Sequence, residues 1–233
     1  MENSRYRESK EKINLMFRLL LWFVLAGLAA GLGYAVIMLP TEASGLAGPV
    51  ADNLSASGVS NPVTAVLLNY RSYDTLLEMG VLLLALIGVW SLDPKGWPLQ
   101  RTPGPVLLFL MQVLVPLMII VAGYLLWVGA YEPGGAFQAG SVLAAAGVLM
   151  ILCGRHLPKR LAGWPLRLAL VSGTAIFIAV GMALMVPGGH LLEFPAPYVK
   201  ELILLIEAVA TFSIGVTLAI LFLGRRPETE DRE

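Results

Sequence analysis

A single cysteine, Cys153, stands in the entire chain. One thiol cannot form an intrachain disulfide framework or a cysteine cage for a metal. Histidine is nearly as scarce. His156 and His190 are the only two, and they lie far apart, so haem, quinone or buried redox-metal chemistry has little to stand on. No cofactor, metal site or catalytic residue is expected. Charge is the third deficit: Asp, Glu, Lys and Arg make up 14% of the residues, against about 25% in a typical soluble domain. The 16 basic and 16 acidic residues cancel, which gives no reason to expect nucleic acid as a partner. What the chain has instead is apolar. Of its 233 residues 57% are hydrophobic, and the mean hydropathy is +0.76. Lipid is the expected solvent.

The apolar residues fall in long runs, and a helix needs roughly 20 of them to cross a bilayer. The first run covers 17–39, too long for a signal-peptide core and so expected to be retained. A loop rich in Gly, Ser, Ala and Asn occupies 40–61. The second span must lie within 63–92, yet one helix over all of it would measure about 43 Å. Its first nine or so residues are therefore expected at the surface or in a broken lead-in. The third span is 106–128, with Pro116 inside it; the fourth is 134–153, beginning at a Pro-Gly-Gly; the fifth is 166–186 and the sixth 201–223. The expected fold is all-α, integral to the membrane, with six transmembrane helices and both ends in the cytoplasm. Lys and Arg favour the cytoplasmic side of a membrane. With the amino terminus inside, all the basic residues lie there except Arg71, within a span, and Lys200, in an outer loop.

Charged groups inside a span cost about 2.5–3.5 kcal/mol each and mark ion pathways or internal pairs. Arg71, Asp74 and Glu78 follow i, i+3, i+7 spacing, which puts them within an arc of about 60° on one helix face, beside Thr75. Arg71 is expected to pair with Asp74. Desolvation favours a protonated acid and the arginine an ionised one, and a group poised between the two suits proton relay. The alternative is a structural ion pair at the interface. Glu207 stands among Leu, Ile, Ala and Val in the sixth span with no cation within a turn. It is either an ion-path group or a buried, hydrogen-bonded acid. Lys200 and Glu201 mark the membrane boundary, and His190 reads as a loop residue at the surface.

Tyr131-Glu132-Pro133-Gly134-Gly135-Ala136-Phe137-Gln138-Ala139-Gly140 opens the fourth span. Proline and glycine at a helix start leave N–H groups pointing outward, a place for an anion or a carboxylate. Gly140, Ala144 and Gly147 then recur on one face, the pattern that lets membrane helices approach closely. This small-residue face and the polar face of the second span are both expected to need partner chains to cover them.

The segment resembles the signature of the B subunit of Mrp-type sodium/proton antiporters, roughly G-H-x-x-P-G-G-G-F-x-x-G. It matches at Gly129, Pro133, Gly134, Gly135, Phe137 and Gly140, and departs at Ala130 and Ala136. In the first half, Asn69-Tyr70-Arg71-Ser72-Tyr73-Asp74-Thr75-Leu76-Leu77-Glu78 is similar to the F-R-G-F-D-T-x-G-E stretch near the end of the antiporter A subunit. The equivalent small subunit of membrane-bound hydrogenases carries the same stretch. The match covers Arg71, Asp74, Thr75 and Glu78, with Ser72 and Leu77 in place of the glycines.

The resemblance implies two parts: a two-helix segment, 1–104, like the end of the A subunit, and a four-helix domain of the MnhB kind, 105–233. It implies a subunit of a multisubunit Na⁺/H⁺ antiporter in a prokaryotic inner (plasma) membrane, a transporter component and not an enzyme. Expected partners are A- or D-type antiporter-like, C-type and small subunits and the bilayer, with Na⁺ and H⁺ as the transported ions. Arg71, Asp74, Glu78 and Glu207 are the expected ion-route residues, and Pro133, Gly134, Gly135, Phe137 and Gly140 the structural motif. A membrane-arm subunit of a related respiratory complex, such as a membrane-bound hydrogenase, and a scaffold that no ion crosses are the alternatives.

Overall fold

The computed structural model describes residues 2–39, 45–92, 103–155, 157–186 and 191–224. Among these residues the secondary structure is entirely helical. In chain order the helices are α1 (Glu2–Ile37), α2 (Ala47–Asn53), α3 (Pro62–Ala65), α4 (Ser72–Ser91), α5 (Pro105–Val128), α6 (Ala136–Leu152), α7 (Lys159–Ala162), α8 (Trp164–Met185) and α9 (Val199–Leu223). Short 3₁₀ turns at Leu54–Ser57 and Ala196–Tyr198 and a π-helical stretch at Val66–Tyr70 complete the set. Prolines within the first two positions of α3, α5 and α8 start those helices where a missing N–H costs nothing.

Among the described residues five helices are long and apolar enough to cross a membrane: residues Leu15–Ile37 of α1, Ser72–Ser91, Pro105–Val128, Trp164–Met185 and Val199–Leu223. The sixth expected span, α6, is apolar but has 17 residues, about 25 Å of helix. It starts late because Pro133, Gly134 and Gly135 stay outside it, in the turn from α5.

The chain divides into two compact units, Met1–Leu46 and Ala47–Glu233. In the first, every described side chain from Leu15 to Leu39 is exposed, as in a helix that is apolar on all sides and depends on lipid to cover it. In the second, α9 is the most buried of the long helices. It packs against α6, α8 and α4, and its inner face carries Ile203, Ile206, Glu207, Thr211, Ile214 and Ile220. One core cluster joins Leu68, Met79, Phe177, Ile203 and Ile206, and a second joins Leu86, Leu166, Leu170 and Ile220.

The α6–α9 contact rests on missing side chains. A Cβ on Gly140 would lie 2.8 Å from Ile214 Cγ2, one on Gly215 2.9 Å from Leu143 Cβ, and one on Gly147 3.0 Å from Ala219 Cβ. This corrects one expectation. The small-residue face of α6 is covered by α9 of the same chain, because Gly215 and Ala219 form a matching small strip on α9, and no partner chain is needed there.

The second span has the broken lead-in that its length demanded. The Arg71 N–H donates to Val66 O at 2.7 Å, closing a π turn, and the helix restarts at Ser72. Thr75 Oγ1 donates to the carbonyl of Leu67 at 2.7 Å, supplying one hydrogen bond across the break. Single π turns of this kind concentrate at functional sites.

Candidate functional site

The chain between α5 and α6 folds back on the end of α5. The N–H groups of Tyr131 and Glu132 donate to Val128 O at 2.8 and 2.9 Å, and that of Gly135 donates to Leu125 O at 2.9 Å. This path requires glycine. A Cβ on Gly134 would sit 2.5 Å from Leu125 O, and one on Gly129 would sit 2.5 Å from Gly135 N. Both obstacles are backbone and cannot swing aside. Gly135 has φ +100°, a conformation that side chains disfavour. Pro133 is exposed at the tip of the turn, and Phe137 is half-buried against the core.

A second segment straps the turn from the other side. The N–H groups of Ser60 and Asn61 donate to Ala130 O at 3.1 and 3.2 Å. Asn61 Nδ2 donates to Glu132 O at 2.6 Å, and Thr64 Oγ1 donates to Gly129 O. The Asn61 side-chain oxygen also accepts the Val63 N–H at 2.9 Å, so one residue caps α3 and holds the turn. Lys200, at the start of α9, donates to the Tyr131 hydroxyl, with its ammonium 4.8 Å from that ring's centroid. Beside this contact lies an open cavity of about 540 Å³ lined by Leu54, Ser55, Gly58, Val59, Ser60, Ala130, Tyr131 and Lys200.

The turn delivers the amino terminus of α6 to Glu207. Glu207 is 3% exposed and accepts a hydrogen bond from the Ala136 N–H. A Cβ on Gly135 would lie 2.6 Å from Glu207 Oε1. No basic side chain among the described residues pairs with this acid; its counter-charge is the positive end of the α6 dipole. Two features that the sequence presents separately, a Pro-Gly-Gly helix start and a lone acid in the last span, therefore form one site.

Arg71, Asp74 and Glu78 lie elsewhere. Arg71 Nη2 and Asp74 Oδ2 form the expected i,i+3 pair at 2.6 Å, with side-chain exposures of 58% and 42%. Glu78 is exposed as well, while Ser72, Thr75, Met79 and Leu86 turn into the bundle. The four expected ion-route residues thus divide between an outward face of α4 and a buried acid on α9. Thr211, one turn beyond Glu207, escapes sequence reading although its i+4 spacing from a lone acid is visible. Lys200 is exposed, as expected of a boundary residue. His156, His190 and the second Pro-Gly-Gly at 187–189 lie outside the described residues. No group of three or more metal-binding side chains occurs among the described residues.

Long apolar helices, a close-packed small-residue seam and a buried carboxylate seated on a helix start define an integral membrane protein built of helices. More particularly, residues 106–223 match the domain related to the MnhB subunit of Na⁺/H⁺ antiporters, and the chain belongs to that family. A protein of Methanocaldococcus jannaschii described as uncharacterized is 28% identical over 180 residues, 62% of this chain and 67% of its own length. Two solved structures share the fold. A chain of the membrane-bound sulfane sulfur reductase, an archaeal respiratory membrane complex, matches with a TM-score of 0.64 and 23% identity. The match covers 90% of this chain and 97% of that one. A chain of the Mrp complex from a Dietzia species matches with a TM-score of 0.61 and 22% identity, covering 92% of this chain and 27% of that one.

Proposed function

We propose that this protein is a membrane subunit of an Mrp-like multisubunit cation/proton antiporter and forms part of its ion route. The observation that carries the reading is the Glu207 carboxylate, buried and held by the α6 amino terminus. An acid with a helix dipole in place of a fixed cation keeps lone pairs available for a moving proton. Membership of the MnhB-related family supports a transporter component and not an enzyme, with Na⁺ and H⁺ as the ions. The partners are the other subunits of the complex, and the setting is a prokaryotic inner membrane. The two-part organisation, 1–104 and 105–233, belongs to this proposal and rests on the two separate sequence resemblances, at 69–78 and 129–140.

The exposed acids of α4 complete the proposal. Arg71 already satisfies Asp74, which leaves Glu78 without an ion-pair partner among the described residues on a face that lipid covers poorly. A neighbouring subunit placed there would exchange protons or cations with Glu78. In vesicles holding the whole complex, Glu78→Gln is expected to lower sodium-driven collapse of a pH gradient at least about tenfold, a barrier change of ~1.4 kcal/mol, with subunit levels unchanged on a blot. Asp74→Asn is expected instead to lower the amount of assembled complex, because it leaves Arg71 uncompensated. Normal transport after Glu78→Gln would confine that residue to a structural role.

A redox-driven relative is the second reading. It is favoured by the end-to-end match to a chain of the sulfane sulfur reductase complex, which spans 97% of that chain. Purification in mild detergent separates the two: co-purifying iron–sulfur subunits would favour the respiratory complex, and antiporter-like subunits alone would favour the exchanger. The scaffold reading would require transport to survive simultaneous neutralisation of Asp74, Glu78 and Glu207.

In this proposal α6 completes six spans, with both ends of the chain cytoplasmic. A helix of about 25 Å crosses if the bilayer thins or its ends lie in the interface. Ser57 is buried, so its exposed neighbour Ser55 serves as the reporter there. Cysteines introduced at Ser55 and Glu132 are expected to react with impermeant reagent from outside, and those at Lys95 and Lys159 only from inside. Inside labelling at position 132 would refute the topology.

A further inference from the structure

Buried hydroxyls in this bundle find carbonyls. Ser213 Oγ donates to Leu170 O and Thr217 Oγ1 to Ser213 O, each at 2.7 Å. Thr211 departs from that habit. It is 4% exposed, and its Oγ1 has no hydrogen-bond partner among the described residues. The usual acceptor for a helical threonine is the carbonyl four residues back, which here belongs to Glu207, and Thr211 does not use it. A buried hydroxyl left without a partner is costly, and such a group in a native fold marks a place for water or an ion.

The position of Thr211 says which. It follows Glu207 by one helical turn, and helical side chains lean toward the amino terminus, so the Thr211 side chain leans back over the turn that holds Glu207. Glu207 faces α6, since a Cβ on Gly135 would meet its Oε1 at 2.6 Å. The α9 main chain at Thr211 lies against the same helix, its carbonyl oxygen 3.1 Å from where a Cβ on Gly140 would stand. The carboxylate accepts the Ala136 N–H and has capacity for further bonds. Residues i and i+4 are neighbours on one helix face, and a water can join two polar groups there that do not meet directly. A sodium ion there would face the positive end of the α6 dipole and its N–H groups, which oppose it. Water meets no such penalty.

We propose that Glu207 and Thr211 hold a single water molecule between them, against the small-residue face of α6. The functional consequence rests on the reading of Glu207 as an ion-route group. The water gives that buried carboxyl a hydrogen-bonded neighbour further along α9, and Thr211 is the residue that positions it.

Infrared spectroscopy of the full chain in lipid nanodiscs tests the site without transport. The Glu207 carboxyl band is assigned by its loss in Glu207→Gln. Thr211→Val, which keeps the shape and removes the hydroxyl, is expected to shift that band, and Thr211→Ser to leave it in place. A structure at a resolution that shows waters is expected to place one within hydrogen-bond distance of both side chains. An unmoved band in Thr211→Val, or a Thr211 hydroxyl donating to the Glu207 main-chain carbonyl, would overturn the proposal. In the whole complex Thr211→Val is expected to slow transport about tenfold, the factor one lost hydrogen bond represents, with recovery in Thr211→Ser. A shifted band together with transport that tolerates Glu207→Gln would leave the water site standing and remove the ion-route reading.

Discussion

Gly135→Ala is expected to destabilise the bundle by about 2–4 kcal/mol, combining backbone strain of about 1–3 kcal/mol with a steric clash. The residue has φ +100°, and its new methyl group would lie 2.6 Å from Glu207 Oε1. The carboxylate is buried, so it cannot move into solvent to make room. It must leave the Ala136 N–H, and the amino terminus of α6 loses its acid. Thermal unfolding of the detergent-purified chain, followed by tryptophan fluorescence or by size-exclusion recovery after heating, measures the effect. Gly123→Ala is the control: a Cβ there meets nothing within 4 Å, and alanine favours helix by about 1 kcal/mol, so its midpoint should stay level or rise. A Gly135→Ala protein as stable as the control would mean that the turn does not hold this geometry.

Glu207→Gln is expected to reduce coupled transport by the assembled complex about 100-fold or more, the lower end of what a positioned acid or base contributes. The amide matches the acid in shape, and its oxygen can still accept the Ala136 N–H, so assembly and stability should be nearly normal. What disappears is the ability to gain and lose a proton at a site whose counter-charge is a helix dipole. Glu207→Asp should fall between the two, since a shorter side chain withdraws from α6 while keeping the acid. Sodium-driven pH-gradient collapse in vesicles is the assay, with subunit levels measured alongside. Transport at the normal rate in Glu207→Gln, at normal subunit levels, would make Glu207 a structural hydrogen-bond acceptor.

Taken together, the two variants separate holding the site from using it. Gly135→Ala should lose stability and transport in step, whereas Glu207→Gln should lose transport alone. The same contrast applies on α4, where Asp74→Asn is expected to affect assembly and Glu78→Gln transport. The two acids differ there because Arg71 engages the first and not the second.

Sequence by itself determined whatever depends on local spacing. Spans are legible because lipid demands about 20 apolar residues in a row, and four of the five long apolar helices lie within two residues of the expected limits at both ends. The second span, expected only somewhere within 63–92, is the exception. The Arg71–Asp74 pair is legible because i and i+3 are neighbours on any helix. The broken lead-in before Ser72 follows from a run too long for the bilayer. Pro133, Gly134 and Gly135 announce a helix start because of what proline and glycine do to their own backbone.

Tertiary structure alone decided where those local pieces meet. Nothing near Glu207 in the chain indicates that its hydrogen-bond donor is Ala136, and nothing near Gly140 indicates that Ile214 and Gly215 of the same chain cover it. Glu78 and Glu207 look alike as acids in apolar runs, yet one is exposed and the other is 3% exposed. The physical reason is the same in each case. Helical periodicity assigns a residue to a face, but which face turns inward depends on close packing between helices distant in sequence. Here the glycines of α6 and α9 set how near those helices can come.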